Sequence, residues 1–119
     1  MLSHVAGILV IVVAVIHMAI AVIEMCFWQV PKVHSRLGFD ADEAKKVTPI
    51  VANAGLYNCF LAAGLIWGLS SWGSSNALLF FLSCVVVAGV FGAVTLKWTT
   101  LVLQSVPGAL AWGCVWMFS

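Results

Sequence analysis

Hydrophobic residues along this chain fall into four long runs separated by short polar segments. The runs cover residues 5–28, 48–69, 77–96 and 101–118. Each run has about the 20 residues that an α-helix needs to cross a bilayer, and about twice the length that a tilted membrane strand needs. The strict alternation of apolar and polar residues that membrane strands show is missing. The pattern therefore predicts an all-α, membrane-embedded four-helix bundle that forms a single transmembrane domain over residues 1–119.

Composition supports this class of protein. Hydrophobic residues make up 64% of the chain and charged residues 8%, with a mean hydropathy of +1.16. A soluble domain is about half apolar and a quarter charged. No Lys or Arg precedes the first run, which is also too long for the apolar part of a signal peptide, so we expect it to be retained. The net charge of +1 gives no indication of nucleic-acid binding.

The basic residues predict an orientation. All Lys and Arg residues lie in the first and third connections, at Lys32, Arg36, Lys45, Lys46 and Lys97. Cytoplasmic loops of membrane proteins carry the excess of Lys and Arg. We therefore predict that both basic connections lie in the cytoplasm and that both termini lie on the non-cytoplasmic side.

The first span carries a polar stripe. At 100° per residue, His17, Ala21, Glu24 and Trp28 fall on one side of the helix, which we expect to face protein. An ionisable residue at membrane depth is costly and marks a functional site by default. In the alternative interpretation Glu24, only about one turn from the end of the span, reaches the interface, and His17 merely bridges helices.

Polar residues of the other spans are predicted to lie at a similar depth. If the first two spans fold as a hairpin about Gly38, Glu24 is level with Asn53. Asn53 and Tyr57 share a face of the second span, and Asn58 lies about 100° further round. We therefore predict one polar cluster in the cytoplasmic half of the bilayer. Its candidate catalytic residues are Glu24, His17 and Tyr57, and its candidate ligand-binding residues are Trp28, Asn53, Asn58 and Gln104.

Spans three and four carry signals of helix packing. In "AGVFGAVT" the small residues at Gly89 and Gly92 allow two backbones to approach closely, within the bundle or between subunits. We expect one of these faces to be available to a second copy, which predicts a homo-oligomer. Pro107 should kink span four and free a carbonyl near Gln104. The four cysteines are scattered without C-x-x-C spacing, so no metal site is predicted.

Several segments resemble a known family. They are "EMCFWQVP" (24–31), "NAGLYNCFLAAGLIWGL" (53–69), "VAGVFGAVT" (87–95) and the pair Gln104-x-x-Pro107. In this order they resemble the uncharacterised family of short bacterial four-span integral membrane proteins called domain of unknown function 1304. The resemblance implies the four-span architecture, a bacterial inner-membrane location and motif positions at Glu24, Trp28, Asn53, Tyr57, Asn58 and Gln104. The chain departs from the family pattern at Ala54, Cys59 and Phe91, where glutamine, glycine and tyrosine are usual.

Two functional classes fit the predicted cluster, and a third stays open. The first is an enzyme that isomerises a small lipophilic molecule, with Glu24 and His17 as acid and base and Tyr57 and the amides holding a polar substituent. The sequence requires no cofactor, although His17 would be an axial ligand if haem bound. The second is a proton-coupled small-molecule transporter. A transport pathway would need polar residues in the outer half of the bilayer, and the sequence lacks them. The third is an interaction subunit of a membrane complex. We favour the isomerase slightly over transport.

Overall fold

The computed structural model describes residues 2–119, and these residues form an all-α structure. Its α-helices are α1 (His4–Cys26), α2 (Pro31–His34), α3 (Ala41–Leu69), α4 (Ser75–Thr95) and α5 (Val106–Phe118). A 3-10 turn, Ser35–Leu37, follows α2, and a π-helix, Leu101–Ser105, leads directly into α5. Four helical segments are long and apolar enough to cross a membrane: α1, α3, α4 and the joined segment Leu101–Phe118. The all-α prediction with four span-length helices is confirmed.

The four long helices form a bundle in which chain neighbours pack side by side. α1 packs mainly against α3 and also against α5, while α4 packs between α3 and α5. Short connections make such neighbours antiparallel. The closely packed core lies in the half of the bundle that holds the two termini, and its largest fully buried side chains include Val10, Val13, Leu65, Leu78, Leu82, Val85 and Val115.

The outer surface of the bundle is apolar. Large hydrophobic side chains are exposed on every long helix, among them Ile8, Ile50, Val94 and Leu110. A helix that is hydrophobic on all sides is typical of a protein interior or of a membrane span. Since these faces are not covered by protein, they are suited to contact with lipid.

α3 begins at Ala41, well before the start of the apolar run at Thr48. The backbone N–H of Glu43 donates to Asp40 Oδ1 at 2.8 Å, so Asp40 caps the helix. The same hydrogen bond lowers the pKa of the Asp40 carboxyl from its ordinary value. The first turns of α3 are therefore a charged extension of the second predicted span, and the cap sets where they begin.

The connection between α1 and α3 is itself partly helical. α1 ends at Cys26, and Trp28 lies in the turn after it rather than in the helix as its sequence predicts. Gly38 closes the 3-10 turn with a φ of 81°, a left-handed conformation that glycine adopts without steric cost. The hairpin thus folds at the position used to align the first two spans.

The fourth span starts with a π-helix where the sequence predicts a kink at Pro107. The backbone N–H of Val106 donates to the carbonyl of Leu101, one residue further back than in an α-helix. Pro107 lies in the first turn of α5, where its missing N–H is not needed. The irregularity is therefore a widened turn before the proline.

The expectation that Gly89 or Gly92 would be free for a second copy is wrong. A Cβ on Gly89 would lie 2.7 Å from the backbone nitrogen of Ser105, and a Cβ on Gly92 would lie 3.1 Å from Thr100 Oγ1. Thr100 Oγ1 also donates to the Gly89 carbonyl at 2.8 Å. Both glycines are used inside the chain, where they bring α4 against the start of the fourth span.

Candidate functional site

A hydrogen bond joins two polar side chains between α1 and α3. Asn58 Nδ2 donates to Glu24 Oε1 at 2.6 Å, and both residues are partly buried. The pair therefore connects the first two spans at the depth where the sequence predicts a polar cluster.

The partner of Glu24 is Asn58, whereas the alignment from sequence places Asn53 beside it. Gly55 explains the difference. A Cβ on Gly55 would lie 2.6 Å from Met25 Cγ and 3.2 Å from Glu24 Cβ, so α3 approaches α1 at this glycine. This contact fixes the rotation of α3 and turns Asn58 toward Glu24, while Asn53 is exposed.

The stripe predicted on α1 does face protein. His17 and Ala21 are fully buried, Trp28 is 4% exposed and Glu24 is partly buried. Its off-stripe neighbours Val15 and Ile23 are exposed. The helical period alone was sufficient to identify this face.

His17 is enclosed within the bundle. Its Nδ1 is 2.8 Å from the Val13 carbonyl, so the ring donates there and its Nε2 carries a lone pair. Nε2 is buried and has no hydrogen-bond partner in the described structure. His17 therefore lies on the same helix face as Glu24 but is shielded from molecules outside the bundle.

Trp28 belongs to a buried corner at the basic end of the bundle. Its Nε1 donates to the Ala44 carbonyl at 2.9 Å, and its ring meets those of His34 and Phe39 edge to face. His34 Nδ1 in turn lies 2.9 Å from the Phe39 carbonyl. Trp28 thus fixes the end of α1 to the charged first turns of α3, a role that its position at a span end did not reveal.

Tyr57 and Asn53 face away from the Glu24–Asn58 pair. Tyr57 is 60% exposed and packs edge to face on Phe60, with ring centroids 5.8 Å apart. Gln104 is partly buried in the π-helix, beside Gly89 of α4. The structure therefore disperses the predicted cluster, and within residues 2–119 Glu24 and Asn58 are its only members joined by a hydrogen bond.

An open apolar groove lies between α1 and α3, one helical turn beyond Asn58, and neither Glu24 nor Asn58 is among its lining residues. It has a volume of about 550 Å³ and is lined by Ala14, Val15, Met18, Ala62, Ala63, Ile66, Trp67 and Ser70. Ala62 follows Asn58 by one helical turn, a rise of about 6 Å. The small side chains of Ala14, Ala62 and Ala63 create this space. The groove and the Glu24–Asn58 pair thus share one helix interface, a feature that the sequence analysis missed.

Comparison with known proteins gives one match. A family model described as "Protein of unknown function (DUF1304)" matches residues 11–116. No curated protein and no solved structure matches the chain. The matched range contains the Glu24–Asn58 pair and every residue that lines the groove.

Proposed function

The chain belongs to this family of unknown function, and from that premise we propose that it is a membrane protein that binds a small lipophilic molecule between α1 and α3 and isomerises it through Glu24. The observation that carries the proposal is the hydrogen bond from Asn58 to Glu24 Oε1 beside an apolar groove. Ligand sites are mostly apolar with a few well-placed polar groups. The groove would hold the apolar body of the ligand, and Glu24 would meet its polar or reactive end.

The chemistry needs one proton carrier. As a carboxylate, Glu24 removes a proton from a carbon of the ligand, and the freed electron pair forms a new double bond. The pair that it displaces, from an adjacent double bond or an epoxide C–O bond, then takes the proton back from the carboxyl on a second carbon or on the oxygen. The product has the mass of the substrate, and the protein ends in its starting state. Asn58 holds Oε1 by its hydrogen bond, which leaves Oε2 for the ligand. His17 and Tyr57 have no part in this step, because His17 is enclosed in the bundle and Tyr57 faces away from the Glu24–Asn58 pair.

The proposed setting is the inner membrane of a bacterium, with the basic connections in the cytoplasm. The exposed apolar faces of the long helices support insertion in a bilayer, and the distribution of Lys and Arg supports the orientation. The bilayer is also the source of a lipophilic substrate, which reaches the lateral groove without crossing water.

The core of the terminal half favours binding and chemistry over transport. Val10, Leu65, Leu82 and Val115 fill the centre of the bundle there, and each has an exposed fraction of 0%. A pathway for a polar solute or a proton needs polar groups or water along its length. A single copy of the bundle is closed on this side, so transport would require a pathway outside the described core.

The test compares Glu24→Gln with wild type. This substitution keeps the size and hydrogen-bonding capacity of the side chain but removes proton transfer. We expect the variant to fold normally and to lose isomerisation of lipophilic epoxides or unsaturated compounds, measured as products of unchanged mass by chromatography and mass spectrometry. Small molecules that co-purify with wild type identify the first compounds to assay, and a visible spectrum of the purified protein checks for haem.

Two matched variants serve as controls. Glu43→Gln makes the same chemical change at an exposed carboxyl, and Asn76→Ala matches Asn58→Ala at an exposed position. Activity should fall in Glu24→Gln and Asn58→Ala and persist in both controls. Uptake or efflux by reconstituted vesicles under a pH gradient tests the alternative function, a proton-coupled transporter, with the same variants. Glu24-dependent uptake or efflux without isomerised product would replace the proposed enzyme with a transporter, and unchanged activity in Glu24→Gln would assign Glu24 a structural role.

A further inference from the structure

α3 and α4 pack closely at the end of the bundle where they are connected. Near their shared connection, a Cβ on Gly68 would lie 2.6 Å from the Leu78 side chain, and Gly64 packs against the ring of Phe81. Tyr57 lies seven residues before Gly64, and Ala88 lies seven residues after Phe81. A separation of seven residues returns nearly to the same helix face. Tyr57 and Ala88 therefore lie on the facing sides of α3 and α4.

Both of these residues are nevertheless exposed, as are Asn53 and Thr95, which continue the two faces toward the basic connections. These facing positions are therefore not covered by the opposite helix, which leaves a lateral opening between α3 and α4 at the basic end. We call this opening the α3–α4 cleft and define it by Asn53, Tyr57, Ala88 and Thr95.

The cleft contains polar groups that the bundle itself does not use. Thr95 Oγ1 donates to the Phe91 carbonyl of its own helix. The hydrogen bonds within residues 2–119 include none from the Asn53 amide or the Tyr57 hydroxyl. In a bilayer, a polar side chain exposed to acyl chains without a partner is unfavourable. A molecule that offers donors or acceptors at this depth would remove that penalty.

Two lysines, Lys46 and Lys97, lie at the basic end of the cleft. Lys46 lies seven residues before Asn53, so the same face of α3 carries an ammonium, an amide and then a phenol over a rise of about 16 Å. Lys97 follows α4 and donates from Nζ to the Arg36 carbonyl at 3.0 Å, which joins the two basic connections. The cleft therefore offers positive charge at its mouth, hydrogen-bonding groups further in, and apolar walls beyond.

We propose that the α3–α4 cleft binds an anionic amphiphile, with its acidic head group at Lys46 and Lys97 and its polar linkage at Asn53 and Tyr57. The occupant is an anionic phospholipid of the bilayer, because its phosphate, its ester linkages and its acyl chains match the lysines, the polar side chains and the apolar surface in that order. The site is separate from the groove between α1 and α3, so the proposal does not depend on the proposed isomerase activity.

Native mass spectrometry of the purified protein in mild detergent tests the proposal. The probes are phosphatidylglycerol, oleate and zwitterionic phosphatidylethanolamine, each added over a range of concentrations. We expect wild type to retain one anionic molecule in preference to phosphatidylethanolamine. Preference for phosphatidylglycerol over oleate supports the phospholipid site, and preference for oleate overturns it. Equal retention of anionic and zwitterionic probes overturns the proposal.

Variants separate this site from general attraction to basic loops. Lys46→Gln should weaken retention about fivefold, from the usual contribution of one cation near a membrane surface. Tyr57→Phe and Asn53→Ala should each weaken it about threefold to tenfold, because each removes one hydrogen bond. Lys32→Gln and Asn76→Ala are controls outside the cleft and should match wild type. If Tyr57→Phe and Asn53→Ala both match wild type, or if they instead dissociate a dimer, the anionic site is refuted.

Discussion

α1 and α3 approach each other closely at Gly55, and replacing this glycine tests how the first two spans are joined. In Gly55→Ala the new Cβ would lie 2.6 Å from Met25 Cγ, 3.1 Å from the Ala21 carbonyl oxygen and 3.2 Å from Glu24 Cβ. The Met25 side chain is exposed and can turn away. The other two atoms belong to the backbone of α1 or are attached directly to it, so α1 itself must shift.

The expected magnitude follows from two opposing effects. Overpacking a close contact costs about 1–3 kcal/mol. Alanine in place of glycine within a helix recovers about 0.5–1 kcal/mol. Gly7→Ala provides the matched control, because Gly7 also lies within a helix and a Cβ there would meet nothing within 4 Å. Both variants gain the same stabilisation from alanine in a helix, so the free energy of unfolding of Gly55→Ala should be about 1–3 kcal/mol lower than that of Gly7→Ala.

Unfolding in mixed micelles with increasing dodecyl sulfate, followed by circular dichroism, measures this difference. A double variant with Asn58→Ala adds a second test. If the Gly55 contact positions the Glu24–Asn58 hydrogen bond, the two substitutions should be less than additive. Equal stability of Gly55→Ala and Gly7→Ala would mean that α1 and α3 do not meet at this glycine, and the geometry of the candidate site would have to be abandoned.

Three further predictions concern the basic end and the termini. The capping hydrogen bond lowers the pKa of Asp40, so the cap stabilises the fold above the ordinary carboxyl pKa and stops doing so as the pH falls through the folded pKa. Thermal unfolding of wild type from pH 6 to pH 2 should show this loss of stability. Asp40→Asn keeps a cap but should remove the pH dependence. Trp28→Phe removes the donor to the Ala44 carbonyl and should cost about 1 kcal/mol in the same unfolding assay, whereas Trp98→Phe, at an exposed position, should cost nothing measurable. A reporter that is active only in the cytoplasm should be inactive when fused after Ser119, and an active fusion would reverse the proposed orientation.

The sequence predicted the elements of the fold and one face of α1. Long apolar runs identify span-length helices directly, and the helical period placed His17, Ala21, Glu24 and Trp28 on the buried side. Both signals are local, because each depends only on residues within one helix. The start of α3 depends instead on the cap at Asp40, which lies in a polar segment without an apolar pattern.

The candidate site was harder to predict because it depends on how neighbouring helices are rotated. A hairpin alignment gives the depth of a residue but not the side of the helix that it occupies. Gly55 sets the rotation of α3 because the Met25 side chain packs against it, and this rotation brings Asn58 rather than Asn53 to Glu24. The same rotation turns Tyr57 toward α4. Small residues in a sequence are compatible with close helix packing either within one chain or between two copies. In the structure Gly89 and Gly92 pack within the chain.

The π-helix at Leu101–Ser105 bears on how this fold can change in evolution. A π-turn contains one residue more than an α-turn, so it is equivalent to a single insertion that the helix has absorbed. Deleting one residue there would restore a regular α-helix and leave α5 with its present contacts to α1. The same deletion within α4 would rotate every later position by about 100° and expose the buried side of that helix. Length variation among related chains should therefore concentrate at the start of the fourth span, where one residue can be lost without changing which side chains face the core.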